Sequence, residues 1–366
     1  MVQKGRPPPM VSFTLPLAFL AVAGISLAAP FNPPGGVGLN ATPIYCPLSQ
    51  FDFHSLSLAL YQEYIELDLF HHGLAKFSVE EFEAAGMNAE DRFLIEFMAD
   101  QEVGHARMLS NIIGPEIAAK QCTYNYPFET VREFVDFCQK LTRWGESGVY
   151  GFLEHLNSRA AATLLLDSIT TEARQQMIFR QFEGLFPMPI WFVVGITQSM
   201  AWTLLAPHIT SCPENNTHLD WQNFPALDIL NNPDATVITK DDLAAITHNR
   251  SVPLSKPGRV VHLSWENPGK AVGPNGSYTT TTSAGKPKYV AWISQLNTTY
   301  TDLTIVGKNT GFTYQPGEEI YGDHTASVIN GTMFIMVTDE DPYITPYNVS
   351  KLNEHVVAGP AVYQSG

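Results

Sequence analysis

The sequence predicts an α+β multidomain chain: an up-down bundle of four long helices, followed by a small antiparallel β module. Three observations carry this. Between about residues 51 and 211, apolar residues recur in steps of three and four, the period of a helix face. After Cys212-Pro213 they gather into short runs separated by Gly, Pro and Asn, as strands and turns do. Asn-x-Ser/Thr acceptors stand at Asn40, Asn215, Asn249, Asn275, Asn297, Asn330 and Asn348, and none falls between Phe51 and Ser211. Glycan acceptors belong on exposed loops, so that gap marks a compact helical block.

Residues 1–28 read as a secretory signal. Lys4 and Arg6 form a basic start, an apolar run from Val11 to Ala28 follows, and Ser26-Leu27-Ala28 supplies small residues for cleavage. The mature chain then begins near Ala29. Pro16 and Gly24 inside the run, with no basic flank after it, argue against a membrane anchor. Residues 29–50 form a linker, and 51–211 the bundle.

Helix A carries the stripe Leu56, Leu60, Glu63, Leu67, Phe70, Leu74. A short helix follows, capped by Ser78 with Glu81 three residues later and stopped at Gly86. Helix B runs from the cap Asn88 to Gly114-Pro115. Helix C, from about 128 to 157, contains Gly145, Gly148 and Gly151, which weaken it unless a neighbour packs very closely. Helix D covers about 160 to 182. Residues 185–207 are free of charge, but three prolines and the polar Thr197, Gln198, Ser199 and Thr203 favour a broken helix over the bundle's end, not a membrane span. The β module, 212–366, has strand-like runs at 260–263, 289–293 and 333–337, and Asn330-Gly331 reads as a hairpin turn. Beyond Cys212 itself it holds no cysteine, and its five histidines are scattered, which predicts a structural or adhesive role. Trp265 and Trp292 read as core residues.

The net charge of −15 and pI near 5.1 exclude a nucleic-acid or anionic-membrane partner on electrostatic grounds. An acidic surface suits an extracellular protein, and cell-wall or matrix components are the partners expected. Four cysteines beyond the signal imply two disulfides. Of three connectivities, the positions predict Cys122–Cys138 across the B–C turn and Cys46–Cys212 across the whole bundle.

The chemistry sits in the bundle. In Ile95, Met98, Glu102, His105, Leu109, Ile112 and in Ala161, Leu165, Ser168, Glu172, Gln175, Phe179, polar residues continue an apolar stripe. A carboxylate there is costly to bury unless a partner, such as a metal ion, neutralises it. A two-metal carboxylate site takes one Glu from each of two helices and a Glu-x-x-His pair from each of the other two. Helix A offers Glu63, with Glu66 one position off the stripe, to bridge or to face solvent. Helix B offers Glu102 and His105, helix C Glu146 with Glu154 further round, and helix D Glu172. Gln175 stands where a second His is wanted, and a neutral amide is a poor ligand for iron or manganese. The candidate ligands are therefore Glu63, Glu102, His105, Glu146 and Glu172, with Glu66 and Gln175 lining the same pocket.

Several of these phrases resemble a known family: LYQEYIE (60–66), EVGH (102–105), ESGV (146–149), EARQ (172–175), VAWISQLNTTY (290–300) and VVAGPAVY (356–363). They are similar to fungal secreted ferritin-like proteins of the Rds1 stress-response type, also called late sexual development proteins, and to plant desiccation-related proteins. The resemblance implies a ferritin-like bundle, secretion, and a role in stress or sexual development, with no defined enzyme activity. The expectation is thus a secreted ferritin-like protein with a partial or degenerate metal site. The alternative is an extracellular iron- or manganese-dependent oxidoreductase or ferroxidase.

Overall fold

The computed structural model describes residues 41–237, 242–317 and 328–366, with the side chain of Asn297 excepted. The signal segment, Asn40 and most of the linker lie outside these residues. From Ile44 to Gly366 the chain forms one compact unit.

The helices are α1 (Gln50–Lys76), α2 (Val79–Ala84), α3 (Ala89–Ile113), α4 (Val131–Leu153), α5 (Arg159–Phe182) and α6 (Gln198–Leu205). Their starts follow local chemistry. Ser49, Ser78, Asn88, Thr130 and Ser158 each accept a backbone N–H of the first turn, and Ser78, Asn88 and Thr130 complete capping boxes with Glu81, Asp91 and Glu133. Buried Asp52 ties two starts together, accepting the N–H groups of Leu48, Asn157 and Ser158 at 2.8–3.0 Å.

Every neighbouring pair in the square of long helices is antiparallel. Lys76 of α1 reaches Glu129 just before α4, while Asp52 at the other end of α1 meets Asn157. Arg132 of α4 reaches Phe182 of α5, and His105 and Glu102 of α3 face Thr171 and Gln175 of α5. Alternation along the chain is not simple, however. The segment 114–130 carries the chain back alongside α1, with Tyr126 donating to Asp68 at 2.7 Å, so α3 and α4 run the same way. A crossover stands where the sequence predicts a B–C turn between helices of opposite direction.

That crossover decides the disulfide. It carries β1 (Thr123–Tyr124), which pairs antiparallel with β2 (Ile209–Ser211) in the register Thr123↔Ser211. The next residues outward, Cys122 and Cys212, then face each other with Cα atoms 4.3 Å apart and are bonded. The predicted pairs Cys122–Cys138 and Cys46–Cys212 are both corrected. Cys138 lies buried inside α4 and Cys46 is exposed, each as a free thiol.

The glycines of α4 behave as a close-packing surface. A Cβ on Gly145 would stand 2.7 Å from Gln62 Nε2, one on Gly148 3.0 Å from Ala201 Cβ, and one on Gly151 only 1.7 Å from the Ile196 carbonyl oxygen. The segment 185–207 is irregular up to Thr197 and then forms α6, which packs on this face.

The remaining strands are β3 (Leu227–Ile229), β4 (Val260–Trp265), β5 (Ala271–Val272), β6 (Tyr278–Thr279), β7 (Tyr289–Ser294), β8 (Asn297–Asp302), β9 (Thr304–Gly307), β10 (Thr310–Tyr314), β11 (Thr332–Thr338) and β12 (Val356–Gln364). Two four-stranded antiparallel sheets result, ordered β3-β4-β10-β9 and β12-β11-β7-β8. The second lies between the first sheet and the bundle. On β11, Met333, Ile335 and Val337 join Val261, Leu263 and Trp265 of the first sheet, whereas Phe334 and Met336 join the helical core. Burial on both faces explains why this strand is a continuous apolar run. Trp265 and Trp292 are core residues. Residues 318–327, where the first strand of a hairpin through Asn330-Gly331 would run, lie outside the described residues, so that expectation lies there too. Asn215, Asn249 and Asn275 are exposed, and Asn330 and Asn348 are half-buried.

Candidate metal centre

Four helices bring their polar residues to one place. α1 supplies Glu63 and Glu66, α3 Glu102 and His105, α4 Glu146, and α5 Glu172 and Gln175; the carboxylates are all buried. One ligand atom each from Glu63, Glu102, His105 and Glu172 lie within 4.8 Å of one another, the only such group among the described residues. His105 Nδ1 stands 3.0 Å from Glu102 Oε2 and 3.2 Å from Glu63 Oε2. Its other nitrogen, Nε2, is 3.1 Å from Thr171 Oγ1.

Glu146 is placed differently. It is buried, but Arg143 on the preceding turn donates to it at 2.7 Å, and the same guanidinium donates to Gln176 Oε1 at 3.0 Å. It therefore stays outside the four-residue group. The helical face around Glu146 carries its own counter-charge. Glu66 does not face solvent: it is fully buried and accepts Gln62 Nε2 at 2.8 Å. Gln62 is in turn held by the Trp144 indole N–H at 3.2 Å. Gln175 lines the site as expected, its Nε2 donating to Glu102 Oε1 at 2.6 Å. Glu154, one residue beyond α4, is half-exposed and pairs with His155.

The crowding has an electrostatic consequence. Burial, then the charge and hydrogen bond of Glu102, hold Glu63 well above the usual carboxylate range. Glu66 and Glu172 are raised in the same way, by burial first and then by Glu102 and Glu66 respectively. Burial also raises Glu146, against the opposing pull of Arg143. At His105 burial favours the neutral ring, but the hydrogen bond and charge of Glu102 outweigh it and the ring is raised above its ordinary value.

A cation suits these residues. Glu66 Oε2, Glu146 Oε1 and Glu172 Oε2 are buried without a hydrogen-bond donor, a costly state for carboxylate oxygens. Carboxylates plus one imidazole form a hard donor set of the kind that iron and manganese take. The hydrogen-bonding partners Gln62, Thr171 and Gln176 and the counter-charge Arg143 are not among the residues that the stripes pick out. Two are readable in the sequence: Gln62-x-x-x-Glu66 and Arg143-x-x-Glu146 have the spacing of helix neighbours. Contacts between helices carry no such signal.

Residues 51–185 match the family model of a ferritin-like domain. Over 352 aligned residues, 93% of this chain and 87% of the relative, the sequence is 56% identical to Protein rds1 of Schizosaccharomyces pombe. The chain belongs to the Rds1 family. In this Rds1-family chain, the matched domain spans α1 to α5 and contains every candidate ligand, whereas the likeness to the relative extends through the β sheets.

Proposed function

We propose that this chain is a secreted ferritin-like protein of stress response or sexual development whose bundle keeps one metal position. Glu63, Glu102, His105 and Glu172 would hold iron or manganese there. The observation that carries this is the approach of those four ligand atoms within 4.8 Å in a buried setting. The other half of a two-metal arrangement is taken up by protein: Arg143 engages Glu146, Gln62 engages Glu66, and Gln175 donates to Glu102. That is the sense in which the site is partial. A bound metal would supply Lewis-acid and one-electron chemistry; the residues hold it and keep it from bulk water.

Secretion is supported by the signal-like segment and by the Cys122–Cys212 disulfide, which suits an oxidising compartment. Among the described residues no helix is long and apolar enough to cross a membrane. Cell-wall or matrix components fit as partners of an acidic, glycan-bearing surface. The stress or developmental role follows the resemblance to Rds1-type proteins.

The test is metal analysis of secreted protein and of Glu102→Ala. Stoichiometric iron or manganese in the first and none in the second is expected; equal content in both would sink the assignment. A second reading, an extracellular metal-dependent oxidoreductase or ferroxidase, is favoured by the free oxygens of Glu66 and Glu146. Oxygen consumption on adding ferrous iron, absent in Glu102→Ala, distinguishes it.

A further inference from the structure

We infer that Thr171 is a positioning residue of this centre, fixing which nitrogen of His105 faces the carboxylates; the inference rests on the metal reading above. Thr171 lies on α5, across the seam from α3. Its Oγ1 is 3.1 Å from His105 Nε2 and 2.7 Å from the backbone carbonyl oxygen of Ser168. A hydroxyl has one proton, and a carbonyl can only accept. The proton therefore goes to Ser168, and Oγ1 is left as the acceptor for Nε2–H. The opposite arrangement would set two oxygen lone pairs against each other at 2.7 Å.

With Nε2 committed to Thr171, Nδ1 is the atom turned to Glu102 Oε2 and Glu63 Oε2, and to any cation between them. The His105 side chain is only 12% exposed, so water has little opportunity to replace the hydroxyl. A metal-bound imidazole whose remote N–H is held by an acceptor keeps its tautomer and ring plane, and loss of that acceptor typically costs about 10–100-fold in affinity.

The experiment uses zinc, a closed-shell probe, on the full secreted chain. Zinc affinity is measured by chelator competition for the unmodified protein, Thr171→Val, Thr171→Ser and Thr171→Ala. Long-range nitrogen–proton NMR reads the His105 tautomer in each zinc-loaded protein. Thr171→Val and Thr171→Ala should each bind about 10–100-fold more weakly, and Thr171→Ser should bind within a few-fold of the parent. The parent and Thr171→Ser should show a single species protonated at Nε2, whereas the other two should show broadened or mixed ring signals. If Thr171→Val failed to fold, Thr171→Ala would carry the comparison. Parent-like affinity and an unchanged tautomer in the variants without a hydroxyl would overturn the role of Thr171 and leave the metal site standing. A parent that binds no zinc, iron or manganese would overturn both.

Discussion

At the scale of single residues, the centre is a set of acids that cannot all be charged together without a cation. Glu63, Glu66 and Glu172 are raised above the ordinary value of 4.5, so without metal the fold holds protons that the unfolded chain has released. Folding then takes up protons above about pH 4.5, and stability falls as pH rises from there. His105 is raised above 6.5, so its contribution is fully present below that value and is lost as pH rises through the folded value. Both effects have the same sign. With chelator present, the thermal midpoint should fall from about pH 5 to about pH 8, and Glu172→Gln should flatten that slope. Manganese should reverse the trend, because the cation favours the ionised acids. A chelated protein that gains stability steadily over this range would contradict the crowded-acid description. Gln175→His exchanges an amide that donates to Glu102 for an imidazole ligand, and iron or manganese affinity should rise by roughly tenfold or more, as read by equilibrium titration.

At the scale of elements, glycine separates close packing from incidental use. Gly151 lies where α4 meets the backbone at Ile196, whose N–H donates to Ser147 O at 2.9 Å. A Cβ there meets the Ile196 carbonyl oxygen, and backbone cannot rotate aside. Gly151→Ala should therefore lose about 3 kcal/mol or more of stability in denaturant titration. Gly104, between Glu102 and His105 on α3, faces open space: a methyl group added there would meet nothing within 4 Å. Gly104→Ala should stabilise by about 0.5–1 kcal/mol, since alanine is the better helix former. The same sign for both substitutions would mean that helix propensity outweighs packing here. The short helix α2 shows what local chemistry can decide: its Ser78–Glu81 capping box and the positive φ of Gly86 stand where the sequence puts them.

At the scale of the whole molecule, the helices and sheets share their packing. Phe334, Met336, Ala291 and Ile293 enter the helical core, and Gln364 and Gln139 both reach Thr332. The Cys122–Cys212 bond joins the crossover to the end of the helical region, its two ends separated by 90 positions in sequence. Removing it by Cys122→Ser should destabilise by about 2–5 kcal/mol. Non-reducing peptide mapping should show that pair, with Cys46 alkylated in the native protein and Cys138 only after unfolding. Alkylation of Cys138 in the native state, or a Cys46 cross-link, would contradict the arrangement.

The sequence by itself determined what depends on near neighbours: the four long helices, the caps Ser78 and Asn88, the central apolar strand runs, and the carboxylates of α1, α3 and α5 on core stripes. Helical period places Glu63, Glu102, His105 and Glu172 on inward faces, so burying those faces brings them together wherever the loops run. Tertiary structure decided what depends on distance along the chain. The direction of α4 depends on the path of the 114–130 crossover, and with it the pairing of Cys122 with Cys212. Which acids keep a free oxygen also depends on it, because Gln62 meets Trp144, Gln176 meets Arg143 and Thr171 meets His105 only across helix seams. Periodicity encodes the face a residue presents, and the partner on that face is set by how the helices are ordered in space.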